Sequence, residues 1–164
     1  MDETGFVRES LRPPIWAEAL LLGLITGLSG LLLYQHVTGV MVGQNPAPNQ
    51  VYAALVVLLS FIYATFRRLE ITIDAEGVTL SYGWIRRMVP FRDVSSVELT
   101  KITPSEYSGL GLRYSTRGGE AFSNRFGDAV RLNRKNKKPV VFTPENPRRT
   151  LDIIKEFKVQ STKI

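Results

Sequence analysis

The residue types that most often carry catalysis are sparse in this chain and stand apart from one another. His36 is the only histidine, and the absence of cysteine excludes disulfides, thiolate nucleophiles and cysteine-ligated metals. No serine or threonine forms a recognisable catalytic motif with His36 and an acid. The acids after residue 66 are scattered singly among lysines and arginines, whereas a metal site draws several carboxylates together. The sequence therefore predicts a protein that is not an enzyme, with no catalytic residues, no metal and no cofactor.

A group of glycines superficially resembles a phosphate-binding loop. Gly109, Gly111, Gly118 and Gly119 flank a predicted strand and a predicted hairpin turn. A phosphate-binding loop instead opens a helix. We therefore expect these glycines to shape turns rather than to bind a nucleotide.

The strongest polar constellation is the basic run from Arg131 to Lys138, which is predicted to form the end of one strand and the tip of the next hairpin. Its cations are Arg131, Arg134, Lys135, Lys137 and Lys138. One interpretation is a solvated turn that blunts a sheet edge. The other is contact with anionic lipid headgroups or an acidic partner, a set that Arg67, Arg68, Arg86 and Arg87 would extend. Nucleic acid is the least favoured partner and is not expected, because no aromatic side chains are interleaved with the run.

Charge is unevenly distributed along the chain of 164 residues. Two of the twenty-one lysines and arginines and four of the fifteen acids precede Arg67, so the part from Arg67 to Ile164 carries a net charge of +8. The long apolar runs show the opposite bias and fall before Arg67. A basic part beside a bilayer is attracted to anionic headgroups or to an acidic partner.

The first apolar run is long enough to form a transmembrane helix. From Ile15 to Val42 the only charged side chain is Glu18, and about 20 apolar residues suffice to cross a bilayer. A cleavable signal peptide is the alternative, but three acids precede the run, no clean small-x-small cleavage pattern follows it, and a second apolar run comes soon after. Glu18 lies within a turn of the predicted interface and can reach the headgroups, with a functional role as the alternative.

The second apolar run, Val51 to Phe66, contains no charge and ends at Arg67 and Arg68. The sequence thus predicts a two-helix transmembrane hairpin over residues 15–66, with helices at about 15–36 and 50–66 and an outside loop at about 37–49. Arg8 and Arg12 before the first helix and the two arginines after the second place both ends in the cytoplasm by the positive-inside rule. The expected location is the cell membrane, as a multi-pass protein.

Small residues recur at helical spacing in both runs. They are Gly23, Gly27 and Gly30 on the first helix and Ser60 and Ala64 on the second. Such residues let helix backbones approach closely in lipid. One interpretation is packing of the two helices against each other, and the other is docking onto the helices of a larger membrane complex. The expected partners are therefore the lipid bilayer and other membrane protein subunits.

After Arg68 the pattern changes to short alternating segments separated by turn residues, which predicts a small sheet, sandwich or barrel. The candidate strands are Leu69–Asp74, Val78–Trp84, Met88–Phe91, Val94–Ile102, Leu110–Ser115, Glu120–Ser123, Ala129–Arg134 and Val140–Thr143. From Asn146 to Phe157 the spacing of Leu151, Ile154 and Phe157 predicts a helix. The expectation is an α+β domain of seven or eight antiparallel strands capped by a C-terminal helix. Its boundaries are 67–158, with an N-terminal cytoplasmic segment at 1–14 and a C-terminal tail at 159–164.

Several of these segments carry a family likeness. They are Leu69–Leu80, Val89–Val97, Gly111–Arg113 followed by Gly118–Gly119, Ala129–Leu132, and Val140–Pro144 before the terminal helix. Together, residues 67–158 resemble the prokaryotic pleckstrin-homology (PH)-like domains that follow one or two membrane helices in small membrane proteins. The resemblance implies two orthogonal sheets that form a partly open barrel plugged at one end by the helix. The first hairpin, Asp74–Gly77, is acidic and departs from the basic hairpin of phosphoinositide-binding PH domains.

These expectations combine into a functional hypothesis. The chain is expected to be a non-enzymatic membrane-anchored scaffold or accessory subunit of a membrane protein complex, with a cytoplasmic PH-like interaction domain. Phe66 runs almost directly into the first predicted strand, which leaves no flexible linker. The alternative is an anionic-lipid surface binding or sensing module that uses the basic hairpin, and an enzyme is the least favoured class.

Overall fold

The computed structural model describes residues 6–43, 47–103, 111–115 and 119–161. The chain divides into two compact units. The helical unit is Pro14–Arg67, and the β unit combines the described residues up to Pro13 with those from Arg68 onwards. The β unit is therefore built from two stretches of sequence that the helical unit separates.

The helical unit contains α1 (Ile15–Thr38) and α2 (Asn49–Phe66). Each begins directly after a proline in an extended conformation. Gly39 caps the end of α1: its backbone is left-handed, and its N–H donates to the carbonyl of Gln35. With 24 and 18 residues, both helices are long and apolar enough to cross a membrane. The two predicted apolar helices are thus confirmed, with α1 extending two residues beyond the predicted end. Residues 44–46 of the predicted outside loop lie outside the described residues.

The first sheet of the β unit has four antiparallel strands in the order β1-β2-β3-β4. They are β1 (Val7–Leu11), β2 (Leu69–Ile73), β3 (Gly77–Tyr82) and β4 (Ile85–Pro90). The last three match predicted strands, whereas β1 lies in the segment before α1 and was not predicted. The register pairs Leu11 with Leu69, so the residues that flank the helical unit are neighbours in this sheet.

The second sheet has five strands in the order β5-β8-β9-β7-β6. They are β5 (Val94–Ile102), β6 (Gly111–Ser115), β7 (Gly119–Ser123), β8 (Gly127–Arg134) and β9 (Lys137–Phe142). A 3₁₀ turn over Phe91–Asp93 connects the two sheets along the chain, and the helix α3 (Pro147–Ser161) follows β9. Asn146 caps α3, since its side-chain oxygen accepts a hydrogen bond from the N–H of Arg149 at 3.2 Å. The predicted strand start at Leu110 lies outside the described residues.

Two details of the predicted β domain are wrong. The described residues contain nine strands rather than seven or eight. One pairing is parallel: β9 lies between β7 and β8 in the sheet, and it runs parallel to β7 and antiparallel to β8. The strands form two hydrogen-bonded sheets that do not close into one, which agrees with the two sheets that were expected. In addition, α3 continues to Ser161, into the segment expected to be a tail.

The core of the β unit is formed by the alternating positions of the strands. In β2 the fully buried residues are Leu69, Ile71 and Ile73, as expected when every second side chain faces inward. Tyr82 of β3 stacks on Phe122 of β7, with ring centroids 6.1 Å apart and ring planes 8° from parallel. Burial raises the pKa of the Tyr82 hydroxyl, so this side chain stays protonated. Each such buried side chain contributes about 1.5–3 kcal/mol through removal of apolar surface from water.

Candidate functional site

The basic run forms the β8–β9 hairpin, and the structure ties much of it to the rest of the β unit. At the turn, Asn136 has a left-handed backbone with φ of 56°. The Lys137 ammonium donates to the carboxylate of Asp93 at 2.7 Å, and the N–H of Lys135 donates to the Asp93 carbonyl at 2.7 Å. The hydrogen bond from Lys137 lowers the pKa of Asp93 below its ordinary value. The hairpin is therefore fixed to the 3₁₀ turn between the sheets.

Glu120 joins two of the predicted basic residues across the two sheets. Its Oε1 lies 2.5 Å from Arg87 Nη2 on β4 and 3.7 Å from Arg134 Nη2 on β8. The Glu120 and Arg134 side chains are 12% and 6% exposed, so most of this contact is removed from water. Arg134 also donates to the Lys138 carbonyl at 2.7 Å. Arg87 and Arg134 are thus structural cations that balance one mostly buried carboxylate.

A polar network on β5 and β8 engages a third arginine of the run. Arg131 Nε donates to Asn133 Oδ1 at 3.1 Å. Asn133 Nδ2 donates in turn to Ser96 Oγ at 2.8 Å and to Glu98 Oε1 at 2.7 Å. Arg131 is therefore held along the surface of the sheet.

The other predicted contact residues are exposed and lie on different elements. Lys135 and Lys138 lie on the β8–β9 hairpin, Arg86 lies on β4, and Arg67 and Arg68 lie at the junction of α2 and β2. Of the nine predicted contact cations, four are committed to polar side-chain contacts, namely Arg87, Arg131, Arg134 and Lys137. Sequence alone did not reveal this division, because the partners Glu120 and Asp93 are distant in the chain.

The glycines of α1 form an open stripe, which we call the glycine stripe: Gly23, Gly27 and Gly30. A Cβ atom added at any of them would meet no heavy atom within 4 Å. At 3.6 residues per turn, the stripe lies on the side of α1 opposite the half-buried Ile25 and Leu32. Close approach of α1 and α2 is therefore not what these glycines provide. Two small residues of α2, Ser60 and Ala64, are likewise exposed.

Glu18 has a partner within the helical unit. Its Oε1 accepts a hydrogen bond of 2.7 Å from the hydroxyl of Tyr63 on α2. The acid therefore joins the two helices near one end of each, at the ends that connect to β1 and β2. This hydrogen bond gives Glu18 a structural role that its sequence position alone did not indicate.

Sequence reasoning missed the N-terminal strand and the polar contacts that hold it. Glu9 accepts a hydrogen bond from the N–H of Glu145 at 3.1 Å, and the carbonyl of Arg12 accepts one from Asn124 Nδ2 at 2.9 Å. Asn124 is itself held by Thr143, whose hydroxyl donates to Asn124 Oδ1 at 3.0 Å. The signal available in the sequence was weak: the apolar Val7 and Leu11 frame a short polar stretch before two prolines.

Two further features could carry chemistry: an open cleft in the β unit and the glycines that superficially resemble a phosphate-binding loop. An open cleft of about 420 Å³ lies between β5, the start of β8 and the start of α3, with Lys101, Asp128 and Arg148 in its lining. Among the described residues, no group of three or more His, Asp and Glu side chains is placed to hold a metal. Gly111 and Gly119 begin β6 and β7 with φ of 95° and 82°, a left-handed backbone that suits turns. Gly109 and Gly118 lie outside the described residues.

Comparisons with known proteins add no relative. No protein-family model matches the chain, and no curated protein matches it in sequence.

Proposed function

We propose that this chain is a non-enzymatic, membrane-anchored scaffold or accessory subunit of a membrane protein complex, with a PH-like interaction domain on the cytoplasmic face. The observation that carries the proposal is the pairing of β1 with β2. These strands are adjacent in the first sheet, although α1 and α2 lie between them in the sequence. Both ends of the helical unit are therefore connected, along the chain, to adjacent strands of one sheet.

The strand pairing supports a membrane hairpin. Strands that share backbone hydrogen bonds must lie on the same side of a bilayer, so the chain between them crosses an even number of times. Two apolar helices satisfy this requirement. A cleavable signal peptide fits less well, because cleavage after α1 would remove β1 from its sheet. Arg8, Arg12, Arg67 and Arg68 favour the cytoplasmic side for both ends.

Short connections support a scaffold rather than a loosely tethered domain. Three residues separate Leu11 from α1, and two of them are prolines. Two residues, Arg67 and Arg68, separate α2 from β2. Neither connection has the length or the glycine and serine content of a flexible linker.

The glycine stripe supports docking to another membrane helix. In lipid, helix association depends on close backbone approach and interhelical contacts, and small residues permit that approach. The stripe is open and lies away from the half-buried side of α1. A partner helix packed on Gly23, Gly27 and Gly30 would account for small residues that α1–α2 packing does not use.

The test is purification of the full chain from its native membrane in a gentle detergent, with mass spectrometry of what remains bound. We expect a stoichiometric membrane partner with the native chain, and its loss in G27L, because a leucine would block close approach. L33F is the matched control, since it adds bulk at an exposed position outside the stripe. A strictly monomeric native chain, or equal retention of the partner by G27L, would contradict the proposal.

A second function, binding of anionic lipid through the β8–β9 hairpin, is favoured by the exposure of Lys135 and Lys138. It would show as slower hydrogen exchange of this hairpin in nanodiscs with anionic lipid than in neutral ones, with the difference lost in high salt and in K135Q/K138Q. The full chain is needed, because a fragment beginning at Arg67 lacks β1. Equal exchange in both kinds of nanodisc would rule this function out.

A further inference from the structure

The chain leaves the first sheet for α1, and returns to it from α2, at the same end of the sheet. The register aligns Leu11 with Leu69, Leu69 with Tyr82, and Tyr82 with Ile85. This row of four residues crosses the four strands at one end of the sheet, and we call it the entry edge. The chain leaves it toward α1 after Leu11 and returns to it from α2 at Leu69. The β3–β4 turn, Gly83–Trp84, projects from the same edge.

Chain length limits how far the entry edge lies from the helix ends. Leu11 is four residues before Ile15, and Leu69 is three residues after Phe66. A chain spans at most about 3.5 Å per residue, which places the edge within roughly 10–14 Å of both helix ends. Neighbouring strands are about 4.8 Å apart, so the Gly83–Trp84 turn is roughly 10 Å along the edge from β2. If the helices cross a bilayer, these distances are short enough for the turn to reach its surface.

The side chains at this edge have the chemistry of a membrane interface. Trp84 is 74% exposed and Ile85 is 36% exposed. Tryptophan is enriched at membrane interfaces, because its ring is apolar and its N–H is polar. Arg12, Arg68 and Arg86 are exposed and immediately follow or precede residues of the same edge. An exposed indole among cations is complementary to a headgroup layer that carries negative charge.

We infer that the Gly83–Trp84 turn is a second membrane contact, in which the Trp84 indole enters the headgroup region of an anionic bilayer beside Arg12, Arg68 and Arg86. The inference rests on the proposed membrane placement of α1 and α2. The contact fixes the β unit against the bilayer at a point distinct from the two chain connections. It differs from lipid binding by the β8–β9 hairpin, which belongs to the second sheet.

The chain itself supplies the probe, because it contains two tryptophans, Trp16 and Trp84. In W16F the emission reports Trp84 alone, and in W84F it reports Trp16 at the start of α1. Each full-length variant is placed in nanodiscs of neutral or anionic lipid, with and without lipid brominated near the headgroup. Circular dichroism confirms that both variants retain the fold of the native chain.

In anionic nanodiscs, we expect brominated lipid to quench the Trp84 emission of W16F about as strongly as it quenches the Trp16 emission of W84F. The loss is expected to be smaller in neutral lipid and in W16F/R68Q/R86Q. Quenching of Trp16 without quenching of Trp84 would overturn the inference and leave the membrane placement intact. Absence of quenching at both positions would overturn the membrane placement itself. A blue-shifted Trp84 emission that brominated lipid does not quench would mean that protein covers the indole, which also overturns the inference.

Discussion

Glu120 shows how single residues connect the two sheets. Its carboxylate is mostly buried and faces the guanidinium groups of Arg87 and Arg134. Removing one partner from a buried ionic contact leaves the remaining charges without compensation. We therefore expect E120Q to lower the free energy of unfolding by about 2 kcal/mol, below the range for a fully buried pair because Arg87 is 42% exposed.

Thermal unfolding of the full chain in detergent measures this loss. E98Q is the matched control, because Glu98 lies on the exposed side of β5 and accepts from Asn133 and Ser96 rather than from a cation. An E120Q midpoint equal to that of E98Q would show that Glu120 does not carry the contact between the sheets.

The ionisation of Asp93 leads to a prediction of how one stabilising contact depends on pH. The hydrogen bond from Lys137 lowers its pKa in the folded state, so the stabilisation is present above the ordinary value of 3.8 and is lost as pH falls through the lowered pKa. In an NMR titration of the full chain, the Asp93 midpoint should lie below 3.8 and rise in K137M. K135M should leave it in place, because Lys135 contacts Asp93 through its backbone N–H. Equal midpoints in K137M and K135M would contradict this assignment.

At the scale of elements, the β1–β2 register is directly testable because the chain has no cysteine. Ser10 lies directly opposite Glu70, whereas Thr72 is diagonal to Ser10. Directly opposite residues have Cβ atoms about 4.5–5.5 Å apart and diagonal ones about 7–8 Å, beyond ordinary disulfide geometry. S10C/E70C should therefore form an intramolecular disulfide on mild oxidation, and S10C/T72C should not. Mass spectrometry reads the outcome, and the reverse preference would mean that the register is wrong.

The elements also show what sequence could predict. Eight strands were predicted from short segments of alternating apolar and polar residues, and Val94–Ile102 was predicted with the bounds of β5. β1 was missed because it is short, carries the acid Glu9 at its centre, and pairs with residues about sixty positions away, as the 62-residue separation of Arg8 and Glu70 illustrates. The β7–β9 pairing was missed for a related reason: local alternation carries no information about which strand lies alongside.

The candidate site, like the fold, was only partly predictable from the sequence. The cations of the basic run were identified from the sequence, because a run of lysines and arginines is evident in it. Their partners were not visible, because Asp93 lies 44 residues from Lys137 and is brought to it by the fold. The open space beside Gly27 was equally beyond sequence, because a small residue is compatible with both a packed and an unpacked helix face.

For the whole molecule, the proposed orientation makes a labelling prediction. Ala47 lies between α1 and α2, and Lys135 lies in the β8–β9 hairpin. In intact cells, a membrane-impermeant maleimide should label A47C and spare K135C until the cells are opened. The opposite pattern would invert the topology, and labelling of both before opening would show that the chain does not separate these positions by a membrane.

The separation of β1 and β2 by two apolar helices also has a consequence for biosynthesis. The ribosome makes β1 first, but its partner emerges after α2, so the first sheet cannot be completed until both helices have been made. If the helices cross a membrane as proposed and one of them failed to insert, β1 and β2 would stay on opposite faces, and β2 would present an unpaired strand edge. Such edges promote aggregation. The sheet would thus act as a checkpoint on insertion, because its completion reports that both crossings were made.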